Sequence, residues 1–430
     1  MMQITFIAHA SFMLASGQYT ILTDPWLTGK AFNNGWALLS PAADVPFHAV
    51  DYIWISHEHP DHFHLPTLRA ISPVDKERIT LLYQRHASSR LVDAFKQLGF
   101  GRIIELPIYR WYQLAPGLDV YCGSVGSIDS FLAVRDPHDC ILNLNDCILN
   151  PGQLRYIKRT IGDVSILFTQ FSFANWVGNY ADELNEAKRK IEQLVHQSQI
   201  LSPEFIVPFA SFIYFCNEEN QRMNAWINTP QAIHALNLLG VNFMYPGDCW
   251  NSHQRAFQSE SSIKRYMNDL QRITIDSTPQ IVELEKIEKA IEKCLRDSKK
   301  FLRCIAVRKA KTFDIYLHDL DKYIIIRPST CRYQITDATP EMRRQARYVM
   351  CSQVAWYGFN FPWGFGTLAV SGMYLDRAYH TEGENPFFFY QNLLSTHALD
   401  FGGWQQAWRT LQFFWRKRGE LFYRYRGAYA

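Results

Sequence analysis

Asp51-Tyr52-Ile53-Trp54-Ile55-Ser56, followed at once by His57-Glu58-His59-Pro60-Asp61-His62, is the stretch that decides how this chain is read. The first half is a short apolar run and predicts a buried strand. The second half packs three imidazoles and the carboxylate of Asp61 into six residues. A turn after the strand leaves these side chains pointing together from its C-terminal end. Imidazole nitrogen suits zinc, iron and manganese, and the carboxylate widens the choice among them. His57 and His59 are two apart, so in an extended stretch they face the same way and can grip one ion. Asp61 and His62 follow the turn and can reach a second. A solvated polar loop is the alternative, and an H-x-H-x-D-H run seldom arises without a metal to hold.

Working outward, Ile4 to Phe12 and Tyr19 to Trp26 predict two further strands, the second ending at an Asp-Pro turn. Ile79–Tyr83, Gly101–Leu106, Leu118–Cys122, Ser130–Val134, Cys140–Leu144, Val164–Phe168 and Phe205–Pro208 continue the strand pattern. Helices are expected over 64–71, 88–98 and 181–197. Strands interleaved with helices in two halves suit two sheets flanked by helices.

The order strand, strand, Asp24-Pro25-Trp26-Leu27, strand and H-x-H-x-D-H resembles the metallo-β-lactamase superfamily. Thr23-Asp24-Pro25-Trp26-Leu27-Thr28-Gly29, Ala31-Phe32, Gly35-Trp36 and Leu38-Leu39 narrow the likeness. So do Ile141 to Cys147 and Pro208-Phe209-Ala210. These segments look like the metallo-β-lactamase-type domain of CMP-N-acetylneuraminate hydroxylases and their bacterial relatives, over about residues 1–250. The resemblance implies an α/β (α+β) fold, a metallo-β-lactamase-like αββα sandwich. It also implies that Asp146 bridges two ions, a carboxylate at a strand end offering one oxygen to each of two cations about 3.5–4 Å apart.

The family pattern has two more histidines, which here align near Val125 and Ala210; neither residue can hold a metal through its side chain. The hydroxylase branch shares the Pro-Phe-Ala feature at the second position but not the loss at Val125. Substitutes are sought in Glu218 and Glu219 beyond the late strand, and in His9 and Asp24 from the early strands. His9 reads as a residue behind the ligands, and Asp24 as the group that orients a metal-binding histidine through its other nitrogen. Fewer histidines, more carboxylate and open positions suit iron and dioxygen better than hydrolysis. The hydroxylases carry a Rieske domain. This sequence starts directly at the metallo-β-lactamase-like strand, and no C-x-H…C-x-x-H pair occurs, so an oxygenase needs electrons from a separate protein or from its substrate.

The rest of the sequence bounds this reading. A chain of 430 residues with 47% apolar and 20% charged residues supports two or three domains with large cores. A net charge of +3 gives no case for nucleic acid. Nine cysteines without C-x-x-C pairs suit reduced thiols and a cytoplasmic location. No apolar run reaches the length of an integral membrane span, and no signal peptide is visible. A composition shift near Pro246 to Ser252 divides the chain into a metal-binding domain, 1–250, and a smaller C-terminal α+β domain, 251–430. The latter has a charged linker helix from Pro279, a hairpin over Thr312–Leu317 and Tyr323–Arg327, and a helix over Glu341–Trp356. The aromatic and basic stretch Trp404–Tyr429 reads as a helix packed on the body in preference to one that lies on a membrane surface or meets an acidic partner. Phe171 to Trp176 reads equally as substrate-pocket floor or as core.

These observations predict a metalloenzyme acting on a small-molecule substrate. His57, His59, Asp61, His62 and Asp146 hold two metal ions, iron in preference to zinc or manganese. The favoured activity is hydroxylation or N-oxidation of a small polar substrate. The alternatives are a dinuclear hydrolase of an ester, amide or phosphoester, and a degenerate binding scaffold.

Overall fold

The computed structural model describes residues 1–86, 89–126, 128–173, 180–297, 310–361 and 363–378, with Val307, Trp408, Leu411 and Trp415 as isolated positions. Residues 174–176 and nearly all of the Trp404–Tyr429 stretch lie outside the described residues.

The chain opens with an antiparallel meander, β1 (Met2–Ala8), β2 (Ser11–Ser16) and β3 (Tyr19–Thr23). Two short strands follow, β4 (Lys30–Ala31) and β5 (Trp36–Leu38). Then β6 (Tyr52–Ile55), β7 (Thr80–Gln84) and β8 (Arg102–Leu106) run parallel beyond β3. A second sheet holds β9 (Trp111–Ala115), β10 (Leu118–Val125), β11 (Asp129–Arg135) and β12 (Cys140–Asn145) in antiparallel order. It is extended by the parallel strands β13 (Ile166–Gln170) and β14 (Phe205–Phe209). β15 (Ile213–Phe215) pairs with β5, and β16 (Cys249–Asn251) returns to pair with β1.

The two sheets face each other, as the period-2 alternation of their strands dictates. Ile4, Phe6, Phe12 and Leu14 of the first meet Val120, Leu132, Val134, Phe168 and Val207 of the second in one core. The Phe12 and Phe168 rings stack at 4.4 Å, a pair worth about 0.5–1.5 kcal/mol beyond area burial. The outward faces are covered by helices. Ile53, Ile55 and Leu81 pack with Leu68, Leu91 and Phe95 of the helices Leu65–Ala70 and Arg90–Gln97. Ala133, Leu142 and Leu144 pack with Leu154, Ile157 and Ile161 of the helix Pro151–Ile161. The order helix, sheet, sheet, helix is the expected αββα sandwich.

A separate core begins at Ile287. The sheet around it has the order β19-β18-β17-β20-β21, built from β17 (Phe313–Leu317), β18 (Lys322–Arg327), β19 (Arg332–Asp337), β20 (Tyr348–Met350) and β21 (Leu375–Asp376). The helix Leu284–Asp297 is not a linker. Its stripe of Ile287, Ala290, Ile291, Cys294 and Leu295 is buried against this sheet and the helix Ser352–Asn360. The helix expected over Glu341–Trp356 is broken by β20, because Tyr348 and Met350 alternate into the core and pair in parallel with β17.

The boundary expected at residue 250 also moves. Gly247 N donates to Phe6 O and Phe6 N to Asp248 O, while Tyr266 of the helix Ser259–Leu270 lies in the sandwich core. Residues up to about Ile273 therefore pack with the first body. The two bodies meet at the small β15-β5-β4 sheet. There the Asn220 amide donates to Gly35 O at 3.0 Å and to Ser371 O at 2.7 Å. A Cβ on Gly35 would come within 3.1 Å of Ser371 Cβ, so glycine permits this close approach.

Candidate metal centre

The cluster forms where four strand ends of the sandwich converge. β6 ends at Ile55, and the following turn closes when His62 N and Phe63 N both donate to His59 O. The His64 ring then accepts from Thr67 N and caps the next helix, so the loop has a fixed exit. His57 and His59 do face the same way, with His57 Nε2 2.8 Å from His59 Nδ1. His62 folds back beside His57, their ring centroids 4.2 Å apart. At the end of β12, Asn145 adopts a left-handed φ of 56° and turns Asp146 inward. Asp146 Oδ2 lies 3.6 Å from His57 Nε2 and 3.7 Å from His62 Nε2, between the two halves of the cluster.

Three groups of convergent ligand atoms result. They are His57, His59 and Asp129; His9, Asp61 and His62; and His57, His62 and Asp146. All five residues expected from the sequence meet in them. His9 lies in the second of these groups, its Nε2 3.1 Å from Asp61 Oδ2. Asp24 takes the orienting position. Its carboxylate accepts from Ser56 N at 2.7 Å, from Asn145 Nδ2 at 2.8 Å and from His62 Nδ1 at 2.9 Å. Glu218 and Glu219 belong elsewhere: Glu219 pairs with His318 at 2.9 Å and Glu218 accepts from Thr278. They line a cleft of about 660 Å³ with Arg222, His318 and Tyr374 at the junction of the two bodies.

Asp129 is the residue that the sequence reading missed. It opens β11, and its register partner across the hairpin is Val125, the position that lacks a histidine. The carboxylate therefore arrives from the opposite strand, with Oδ1 4.0 Å from His57 Nε2. The other histidine-free position behaves alike. Ala210 N donates to His9 O at 2.8 Å, so His9 sits beside the gap at Ala210. Each histidine-free position thus has a side chain of the cluster next to it in space.

The electrostatics suit cations. Burial lowers the pKa of His9, His57 and His59, keeping these imidazoles neutral and able to donate lone pairs. Burial opposes charge on His62 too, but Asp61, Asp146 and Asp24 outweigh it and raise its pKa well above the usual value. Burial likewise opposes ionisation of Asp61, and His62 and His9 overcome it, so Asp61 and His62 form an ion pair. Asp129 is pushed up to about 7, first by burial and then by Asp146.

Several buried polar atoms at the cluster make no hydrogen bond, among them His62 Nε2, Asp61 Oδ1 and Asp146 Oδ1. His62 Nε2 and Asp61 Oδ2 are 3.2 Å apart but out of hydrogen-bonding alignment. Orphaned donors and acceptors of this kind are costly unless a ligand takes them up. The donor set, imidazole plus carboxylate, fits iron, zinc or manganese. The ring orientations are set as well. His57 Nδ1 is engaged by Ser56 Oγ at 2.9 Å and His62 Nδ1 by Asp24, which turns both Nε2 atoms toward the centre. His59, Asp129 and Asp146 are half-buried, whereas His9, His57, Asp61 and His62 are buried. The more exposed side of the cluster is therefore the one that carries Asp129 and Asp146.

Residues 3–109 match the beta-lactamase superfamily domain, and the αββα sandwich of the N-terminal body is metallo-β-lactamase-like. Among curated proteins the chain is 28% identical over 226 residues to the cytidine monophosphate-N-acetylneuraminic acid hydroxylase of Danio rerio, covering 49% of this chain and 38% of that one. It is 30% identical over 189 residues to a protein of Mycobacterium tuberculosis that carries the name Rieske 2Fe-2S iron-sulfur protein, covering 41% and 35%. The chain spans less than half the length of these relatives. Among solved structures, an isothiocyanate hydrolase from Delia radicum gut bacteria is 16% identical, with a TM-score of 0.44 over 58% of this chain and 98% of that one. No helix among the described residues is long and apolar enough to cross a membrane.

Proposed function

We propose that the chain is a dinuclear metalloenzyme that hydroxylates or N-oxidises a small polar substrate with dioxygen. His57, His59 and Asp129 hold one ion, His9, Asp61 and His62 the other, and Asp146 bridges them. The observation that carries the reading is Asp129 opposite Val125. It exchanges an imidazole of the family pattern for a carboxylate, and mixed histidine and carboxylate sets with open positions suit iron. The hydroxylase and Rieske names among the relatives support the same direction.

The ions, when bound, supply the place where dioxygen is reduced. The protein's own groups fix the ligands and leave the Asp129–Asp146 edge open to substrate. The overall balance is substrate C–H or N–H plus dioxygen, two electrons and two protons, giving the oxygenated product and water. The two electrons come from a separate donor protein or from the substrate.

Anaerobically reduced, iron-loaded protein is expected to consume dioxygen on mixing and to show a transient visible absorption. Oxygen-independent turnover of generic esters or phosphodiesters by the zinc-loaded form, with an inert iron form, would overturn the proposal in favour of a hydrolase. Absence of bound iron and zinc alike would leave only a binding scaffold.

We further propose that the second body is a separable unit that shapes access to the centre. Glu58, between the two metal-loop histidines, pairs with Arg90, whose guanidinium lies 5.6 Å from the Trp363 ring of the second body. The connecting segment 271–283 is neither helix nor strand and is mostly exposed. Trypsin is expected to cut first after the exposed Arg272, since open connections are the preferred sites of nicking. First cleavage inside residues 1–245 would count against two units.

A further inference from the structure

One wall of the cluster is strained, and the second body holds it. Phe32, Asn33 and Asn34 have left-handed φ angles of 52°, 56° and 62°. Residues other than glycine visit this region singly, and a bulky one such as Phe rarely. Three in succession persist only where the surroundings over-determine them. The rings that flank the turn reach the cluster. The Phe32 ring lies 6.2 Å from that of His59, and the Trp36 ring 6.5 Å from that of His9, so the turn adjoins a member of each of the first two ligand groups. Its backbone is tied down from outside. Asn34 O accepts from Asn217 Nδ2 at 3.4 Å, and Gly35 O accepts from Cys216 N and from Asn220 Nδ2, both at 3.0 Å. Asn220 is fully buried, and the same amide donates to Ser371 O of the second body at 2.7 Å. Both neighbours of Ser371 press on the same place. Val370 packs on the aromatic cluster that holds Phe32, Trp36 and Met223. A Cβ on Gly372 would collide with Met223 Sδ, so the backbone there lies directly against that cluster.

We propose that the second body shapes the metal centre through this turn, with Asn220 as the positioning residue. By donating to Gly35 O and Ser371 O at once, Asn220 ties the strained turn to the segment Val370–Gly372. The tie holds Phe32 beside His59 and Trp36 beside His9, and so fixes how these two imidazoles are packed. This role rests on the metal-centre reading. It is distinct from a general attachment of the two bodies, because the Glu219–His318 pair joins them at a separate contact.

Cobalt(II) is the probe, since its visible absorption follows the geometry of its ligands, and a thermal melt follows the fold. Asn220→Asp keeps the shape of the side chain but sets a carboxylate against two carbonyl oxygens. It is expected to alter the cobalt absorption and to weaken cobalt binding about tenfold, the scale on which groups behind metal ligands act. His318→Ala, which breaks the separate contact, is expected to keep the wild-type absorption and affinity. Should Asn220→Asp fail to fold, Val370→Ala, which trims the second body where it meets the wall, is expected to alter the absorption in its place. Wild-type absorption and affinity in the folded variant would overturn the role of the turn, and so would an equal change in His318→Ala. A wild type that takes up no cobalt would instead overturn the metal-centre reading beneath it.

Discussion

Asp146→Ala is expected to strip the centre of most of its metal while leaving the fold intact. Asp146 is the one carboxylate placed between the two halves of the cluster, 3.6 Å from His57 Nε2 and 3.7 Å from His62 Nε2. Without it neither half can share an oxygen with the other. The affinity for the ions should fall on the order of a hundredfold or more, because loss of even an outer group around a metal costs about 10–100-fold. Oxygen consumption should fall with it. The fold should survive for a separate reason. Asp146 is half-buried and its Oδ1 makes no hydrogen bond, so few protein contacts are lost. Its removal also relieves Asp129, whose pKa is pushed up to about 7 by burial and by Asp146. Elemental analysis beside a thermal melt checks both halves of the expectation. Wild-type metal content in the variant would remove Asp146 from the ligand set, and His59→Ala provides a parallel test within the first triad.

The centre was legible in the sequence wherever its parts are contiguous. His57, His59, Asp61 and His62 sit in one turn, so their spacing alone carries the chemistry. Asp146 was picked out through resemblance, since nothing local marks an aspartate after Leu144-Asn145 as a member of the cluster. Asp129 was not legible, because its place is set by the β10–β11 register rather than by its neighbours. The available signal was a carboxylate one hairpin turn beyond the missing histidine at Val125. Glu218 and Glu219 failed for the converse reason. They follow β15 closely in sequence, but the turn after that strand carries them toward His318. The same contrast holds for the fold. The sandwich was readable from strand alternation, whereas β20 was hidden inside a helix-like stretch. Its strand state depends on pairing with β17, some thirty residues earlier, and strand preference of this kind is contextual.

Asp24→Ala is expected to cost both stability and metal. Asp24 is fully buried, and its carboxylate accepts from Ser56 N, from His62 Nδ1 through its Oδ2, and from Asn145 Nδ2. Removing one partner of a buried charged network typically costs about 3–5 kcal/mol, because the remaining groups stay buried and unsatisfied. Asp24 also has a left-handed φ of 35°, a conformation that alanine tolerates less well than Asp or Asn. The metal effect has another origin. Asp24 fixes the His62 ring through Nδ1 and so aims Nε2 at the centre, and loss of such an orienting carboxylate lowers metal affinity by about 10–100-fold. Asp24→Asn separates the two effects. Asparagine accepts the backbone strain and keeps one oxygen, but its amide nitrogen must face either Ser56 N–H or the His62 ring. Its melting temperature should lie between those of wild type and Asp24→Ala, while its metal affinity stays low. Chelator competition and thermal melts on the three proteins decide the matter. If Asp24→Asn binds metal as tightly as the wild type, Asp24 supports the fold alone and the aim of His62 is set by its packing against His57.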